Sequence, residues 1–217
     1  MLTIHAASFV LPFGGAEPLS DGAVVIDGDR IAGFGSYEHV VSEWPSARVR
    51  RWPGVLTPGL VNRFGPELLE AAYHPDPREA DALGERPLMG EELTALALTD
   101  ARWGESARRG LQRMLRHGTT AVAGPFSRAT VRAAVARSGL VVVARTAAPQ
   151  GTPDPDPLTG GVDPAAVVTG PLVAGGHADL AAFDVLVSGD PYASLAERGA
   201  GSCAATVLAG RLAFRRS

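Results

Sequence analysis

The side chains able to do chemistry are few and widely spaced. The five histidines, His5, His39, His74, His117 and His177, never fall two or four residues apart. No two of them therefore have the spacing with which a strand or helix presents paired imidazoles to one metal ion. His74 and Asp76 flank Pro75, a pairing that reads either as a polar surface loop or as part of a polar site. The carboxylates of Glu67, Glu70, Glu79 and Asp81 could pair for acid–base work, but in so charged a stretch a solvated face is the plainer reading. No Gly-x-Ser-x-Gly elbow occurs, and Gly201-Ser202-Cys203 falls in C-terminal β-structure, away from any nucleophile setting.

All 20 basic residues are arginine. Without lysine there is no Walker-type phosphate loop, no Schiff-base chemistry and no carboxylated lysine to bridge two metal ions. The formal net charge of -3 gives no reason to expect nucleic acid or an anionic membrane as partner. No run is long and apolar enough to span a bilayer. One cysteine, Cys203, and a first dozen residues without a basic, apolar leader point to the cytoplasm, with the thiol as a small buried apolar group.

The elements that must position these groups read as β-structure at both ends with βα units between. Leu2–Ala6, Ala23–Ile26 and Arg30–Phe34 are strands, the last two joined at Asp27-Gly28-Asp29, a step suited to a tight hairpin. A short helix over Tyr37–Glu43 and a strand over Arg48–Trp52 follow. Gly54 to Val61 reads as a strand entering a new domain, Glu67–Tyr73 as one or two helical turns, and Pro75–Pro87 as a loop. Apolar spacing over Glu91–His117 predicts one long or one broken helix. Thr119–Ala123 is a short buried strand, Ser127 a cap for a helix over Thr130–Arg137, and Leu140–Ala144 the plainest buried strand of all. Alternating strands and helices of this kind make parallel βα units. Residues 147–167 are rich in Pro, Gly and Asp and read as a linker. Beyond it, Ala178–Val185, Thr206–Leu208 and Leu212–Phe214 are strands, the last two joined across Ala209-Gly210.

Certain pieces of this order look familiar: Asp21-Gly22-Ala23-Val24-Val25-Ile26 with Arg30-Ile31, the Pro58-Gly59-Leu60-Val61 step, Leu115-Arg116-His117-Gly118-Thr119-Thr120-Ala121-Val122, and Gly176-His177-Ala178-Asp179-Leu180. Together they resemble the amidohydrolase superfamily, most closely its imidazolonepropionase and aminodeoxyfutalosine deaminase branch. The resemblance implies an α/β protein in which an incomplete TIM-like βα barrel segment is inserted in a small composite β-sandwich formed by both termini. The segments would be 1–56 and 168–217 for the β-domain, 57–146 for the truncated barrel and 147–167 for the linker. A full barrel needs eight strands and typically about 250 residues, whereas this chain offers three strands before its linker.

In that family the Pro-Gly-Leu-Val step leads to a His-x-His pair that binds zinc or iron. Here the matching places are held by Phe64 and Pro66, neither of which can ligate a metal. The expectation is therefore no metal and no other cofactor, and an imidazolonepropionase-like protein without catalysis that binds a ligand or partner. The alternative is a hydrolase of non-peptide carbon–nitrogen bonds, a cyclic amide, an amidine or an aminodeoxyfutalosine-type substrate, with a non-standard site. Groups placed by the resemblance at the strand ends of the loop face are Asn62, Arg63, Phe126 and Arg145, with His74 and Asp76 in the loop beyond the first strand. Two arginines there would favour a small anion, a carboxylate or phosphate, with a surface salt bridge as the other use of Arg63. His117 precedes its strand and suits a helix C-terminus instead. Uncovered strand edges of a truncated barrel call for a helix, the linker or a second subunit, so a homodimer is expected.

Overall fold

The computed structural model describes residues 2–145 and 147–216; Met1, Thr146 and Ser217, which bound three of the expected segments, lie outside the described residues. In chain order, β1 (Leu2–Val10), β2 (Leu19–Asp27) and β3 (Arg30–Ser36) lead to α1 (Tyr37–Glu43), β4 (Arg48–Pro58) and β5 (Leu60–Asn62). Next come α2 (Gly65–Leu69), β6 (Ala72–Tyr73), α3 (Ala80–Leu83), β7 (Leu88–Met89), α4 (Glu91–Thr94) and α5 (Asp100–Leu115). Then follow β8 (Thr119–Gly124), α6 (Ala129–Ser138), β9 (Val141–Ala144), β10 (Leu180–Phe183), α7 (Pro191–Arg198), β11 (Cys203–Leu208) and β12 (Arg211–Arg215).

The strands of both termini share one mixed seven-stranded sheet, ordered β12-β11-β10-β4-β1-β2-β3. This differs from the expected sandwich of two sheets, because β4 and β10 pair directly, antiparallel from Leu180↔Pro58 to Phe183↔Val55. The same pairing draws Val55–Pro58 into β4, which runs on past the strand expected at Arg48–Trp52. β1 and β4 are parallel, and the other neighbours in the sheet are antiparallel. The β2–β3 turn places Gly28 at φ +60°, which a residue without Cβ adopts freely.

The chain divides into two compact units, one of residues 1–61, 115–120 and 156–217, the other of 62–114 and 121–155. In the first, Val10, Val24, Ile26, Leu56, Leu180 and Val207 belong to one apolar cluster, and Leu60, Phe183, Leu195 and Cys203 to a second. Cys203 is fully buried, its Sγ 3.5 Å from both the Ala205 carbonyl and Thr206 Oγ1, and burial pushes its thiol up to about 11. Helix α7 has no counterpart in the sequence reading. Its start is nonetheless written in Asp190-Pro191: the Asp190 carboxylate accepts from Tyr192 N–H, and Pro191 occupies the first turn where its missing N–H costs nothing.

Strands β5, β8 and β9 form a three-stranded sheet in that order. In the second unit β8 and β9 pair parallel from Ala121↔Val141 to Gly124↔Ala144. β8 is buried along its length, but β9 is not the buried strand expected: Val141 is 45% and Val142 51% exposed. As the last strand of its sheet β9 has one neighbour instead of two, which leaves both faces of its pleat within reach of water. Two further readings change. Pro75–Pro87 is not all loop, because Asp76 and Glu79 form a reciprocal capping box that starts a 3-10 turn at Pro77–Glu79 and then α3. The helical stretch from Glu91 is broken, α4 ending before residue 95 and α5 starting at Asp100.

Candidate functional site

Asn62 ends β5 as a buried polar side chain, and buried amides need their hydrogen bonds met. Its Nδ2 donates to the carbonyls of Asp154 (2.9 Å) and Pro155 (3.2 Å), and its Oδ1 accepts from Phe64 N–H (2.9 Å). Both donor hydrogens are spent on holding the 154–155 backbone, so Asn62 is a splint within its unit and has no N–H left for a ligand.

The two positions where the resemblance led us to look for histidines begin helix α2: Phe64 is its N-cap residue, without a side-chain cap bond, and Pro66 sits in its first turn. Between them Gly65 lies so close to β8 that a Cβ there would stand 2.0 Å from the Ala123 carbonyl oxygen and 2.7 Å from Val122 Cγ2. Backbone contact, not a pair of projecting ligands, therefore occupies this turn.

Arg145 does not stand ready for an anion. Its guanidinium grips Glu67 through two nitrogens, at 2.7 and 3.2 Å, and its Nε donates to Ala147 O at 3.2 Å. A fork-to-carboxylate pair of this kind is the strongest form such a bond takes. Arg63 has no ion-pair partner among the described residues and is half-buried. Phe126 is buried at 8% exposure, its carbonyl accepting from Arg132 at 3.3 Å. Ser127 does not cap α6. Arg128 takes that place without a side-chain cap bond, and Glu70 instead accepts from Arg128 N–H (2.6 Å) and Ser127 Oγ (3.0 Å). A carboxylate near the helix start does the work expected of the serine.

His74 is the largest departure from expectation, being wholly buried where a surface loop was one reading. Nε2 lies 2.8 Å from Leu68 O and so carries the proton, while Nδ1 is buried without a hydrogen-bond partner among the described residues. Burial drives the ring's pKa down to about 4, aided by the charges of Arg113 and Arg109 against the pull of the Leu68 carbonyl. The imidazole is therefore neutral. Its backbone is also engaged: the N–H donates to Ser106 Oγ (2.8 Å), and the carbonyl accepts from Arg109 Nε (2.8 Å).

Asp76 lies 3.4 Å from Arg109 and accepts from Arg78 N–H, so its carboxylate serves the cap. Of the neighbouring groups, Glu79 read from the sequence as a solvated carboxylate, and Tyr73 and Arg102 were not picked out. Tyr73 donates to Glu79 Oε2 (2.7 Å), and Arg102 reaches both Glu79 Oε1 (2.7 Å) and the Tyr73 oxygen (3.0 Å). Tyr73, Asp76 N–H and Arg102 together hold the Glu79 carboxyl below its ordinary range. The available signal was Asp76-x-x-Glu79 around Pro77, together with two arginines seven apart on α5 that share one helix face. The arrangement is a closed polar clamp, tying the segment after β6 to α5.

Among the described residues no three His, Cys, Asp or Glu side chains converge as metal ligands. His5 is buried against Trp52, His39 pairs with Glu43 on the surface of α1, and His117, two residues beyond α5, lies 3.8 Å from Asp156. His177 forms an isolated antiparallel bridge with Arg30.

No protein-family profile and no curated protein matches the chain. Among solved structures it is similar to A. niger ochratoxinase, at 26% identity and a TM-score of 0.45, over 66% of this chain and 31% of that one. It is also similar to Helicobacter pylori aminofutalosine deaminase (18%, TM-score 0.43, 66% and 33%) and to E. coli guanine deaminase (18%, TM-score 0.43, 66% and 35%). Such neighbours are deaminases and hydrolases of the amidohydrolase superfamily. The chain spans about a third of the length of each. Among the described residues no helix is long and apolar enough to cross a membrane.

Proposed function

We propose that this chain is an amidohydrolase-like scaffold with a binding role, whose own side chains build no metal centre. The observation that supports this reading is the turn after β5, where Phe64 and Pro66 start a helix whose Gly65 is pressed against the backbone of β8. The zinc or iron implied by the resemblance does not fit these residues, since neither offers a lone pair and the nearby Asn62 is already hydrogen-bonded. Elemental analysis of protein grown with zinc, iron and manganese, and purified without chelators or a metal-binding tag, tests it. Substoichiometric metal is the expected result. One tightly held ion per chain would overturn it.

A second reading, hydrolysis of non-peptide carbon–nitrogen bonds, draws on one feature: the neutral, buried imidazole of His74 with its unpartnered Nδ1. If that reading holds, metal-supplied protein turns over amide or amidine substrates and His74→Gln abolishes the turnover. The partner best suited to the binding role is a second copy of the chain. β9 is an edge strand with Val141 and Val142 exposed, and such an edge invites another strand. Light scattering behind a sizing column should give the mass of a dimer, reduced to that of a monomer by Val142→Lys. A monomeric wild type would remove the homodimer.

A further inference from the structure

The terminal sheet carries a cationic hollow that the reading above does not use. Arg48, Arg50, Arg51, Trp52, Leu212 and Arg215 line a cavity of about 220 Å³. It opens there because β10 pairs with β4 only from Val55 to Pro58, so Arg48–Trp52 have β1 as a sheet neighbour on one side and no β10 pairing on the other. Arg48, Arg50 and Trp52 alternate onto one face of β4. β12 brings the Arg215 guanidinium to 5.9 Å from the Trp52 ring. The indole is itself fixed, its N–H donating to His5 Nδ1 at 3.0 Å with the two rings stacked at 5.9 Å.

The arginines are not equivalent. Arg51 is neutralised from the other face, lying 3.8 Å over the Tyr37 ring and 3.4 Å from Asp21. Arg48, Arg50 and Arg215 have no carboxylate within salt-bridge distance among the described residues. Like charges gathered round one small hollow repel one another, and the field of such a cluster attracts a counter-charge. That field reaches the core beneath: the charge of Arg50 adds to burial in holding the His5 ring neutral. Guanidinium groups recognise oxyanions through paired N–H donors. Three of them around one volume suit a tetrahedral group, which presents oxygens in three directions, better than a planar carboxylate, which presents two.

We propose that this hollow binds a small phosphate monoester, its phosphate held by Arg48, Arg50 and Arg215 and its organic group resting on Trp52. Calorimetric titration of the full chain with inorganic phosphate and with phenyl phosphate, at constant ionic strength in chloride, tests it. One saturable site per chain is expected, with phenyl phosphate bound more tightly than inorganic phosphate. Arg50→Gln and Arg215→Gln should each weaken phenyl phosphate by about tenfold or more, the loss of one charge-assisted contact. Arg30→Gln, in β3 and outside the lining of the hollow, should leave the affinity within about twofold. Arg215 is exposed on an edge strand, so its variant reports even where Arg50→Gln fails to fold, as circular dichroism would show. The proposal is overturned by heats no larger than those of chloride, by unchanged affinity in Arg215→Gln, or by an equal loss in Arg30→Gln, which would mark general charge attraction of the kind that holds polyanions. Equal affinity for the two phosphates would remove the role of Trp52.

Discussion

Acidification from pH 6.5 to 5 is expected to strip the protein of much of its stability. His5 and His74 are both buried, and in each the folded-state pKa is lowered from 6.5 to about 4, by burial first. Below pH 6.5 the unfolded chain takes up protons on these rings and the folded chain does not. Stability is therefore full above pH 6.5, falls as pH drops, and levels off only below the folded-state value near 4. Each ring can account for up to about 3 kcal/mol across that window. Urea unfolding at pH 7.5, 6.5, 5.5 and 5 measures it. His74→Gln keeps a donor for Leu68 O without a titrating group, and His5→Asn keeps an acceptor for the Trp52 indole. Each should flatten the pH dependence, and an unchanged slope in both would show that other groups cause it.

Gly65→Ala is the single substitution expected to do most harm in the second unit. Its Cβ would meet the Ala123 carbonyl oxygen at 2.0 Å, and that residue pairs with Val143 across β8 and β9, so neither side can give way cheaply. A loss of about 3 kcal/mol or more is expected, at the upper end of what overpacking costs. Gly28→Ala provides the comparison. Its φ of +60° strains an alanine, but nothing lies within 4 Å of the added carbon, so about 1 kcal/mol is expected. Equal losses at the two positions would mean that α2 does not press on β8 as described.

How much of this was legible in the sequence depends on the range of the forces involved. The β2–β3 hairpin and the β11–β12 hairpin could be read because Asp27-Gly28-Asp29 and Ala209-Gly210 mark their own turns. The continuity of β4 could not: Val55–Pro58 read as strand, but as the entry to a new domain, and their place in the terminal sheet comes from pairing with Leu180–Phe183, more than a hundred residues away. Val141 and Val142 were taken for core because an apolar run looks the same at the centre and at the edge of a sheet. At the candidate site, that the side chains of Phe64 and Pro66 cannot ligate a metal was plain from residue types alone. The occupation of Arg145 by Glu67, the burial of His74 and the splinting role of Asn62 each depend on a contact with a residue distant in sequence. Glu70 standing where Ser127 was expected is the same lesson at a helix end: the local cap signal was present, but a stronger acceptor from elsewhere in the fold took its place.

Cys203 turns the terminal sheet into its own reporter. The chain has one cysteine, fully buried in β11 and with a thiol pKa of about 11, so at neutral pH it is both hidden from reagents and almost entirely protonated. Alkylation there must wait for β11 to part from its neighbours, because only the thiolate reacts. The rate of labelling in native conditions thus measures how often that strand opens, from a single atom and without any added probe.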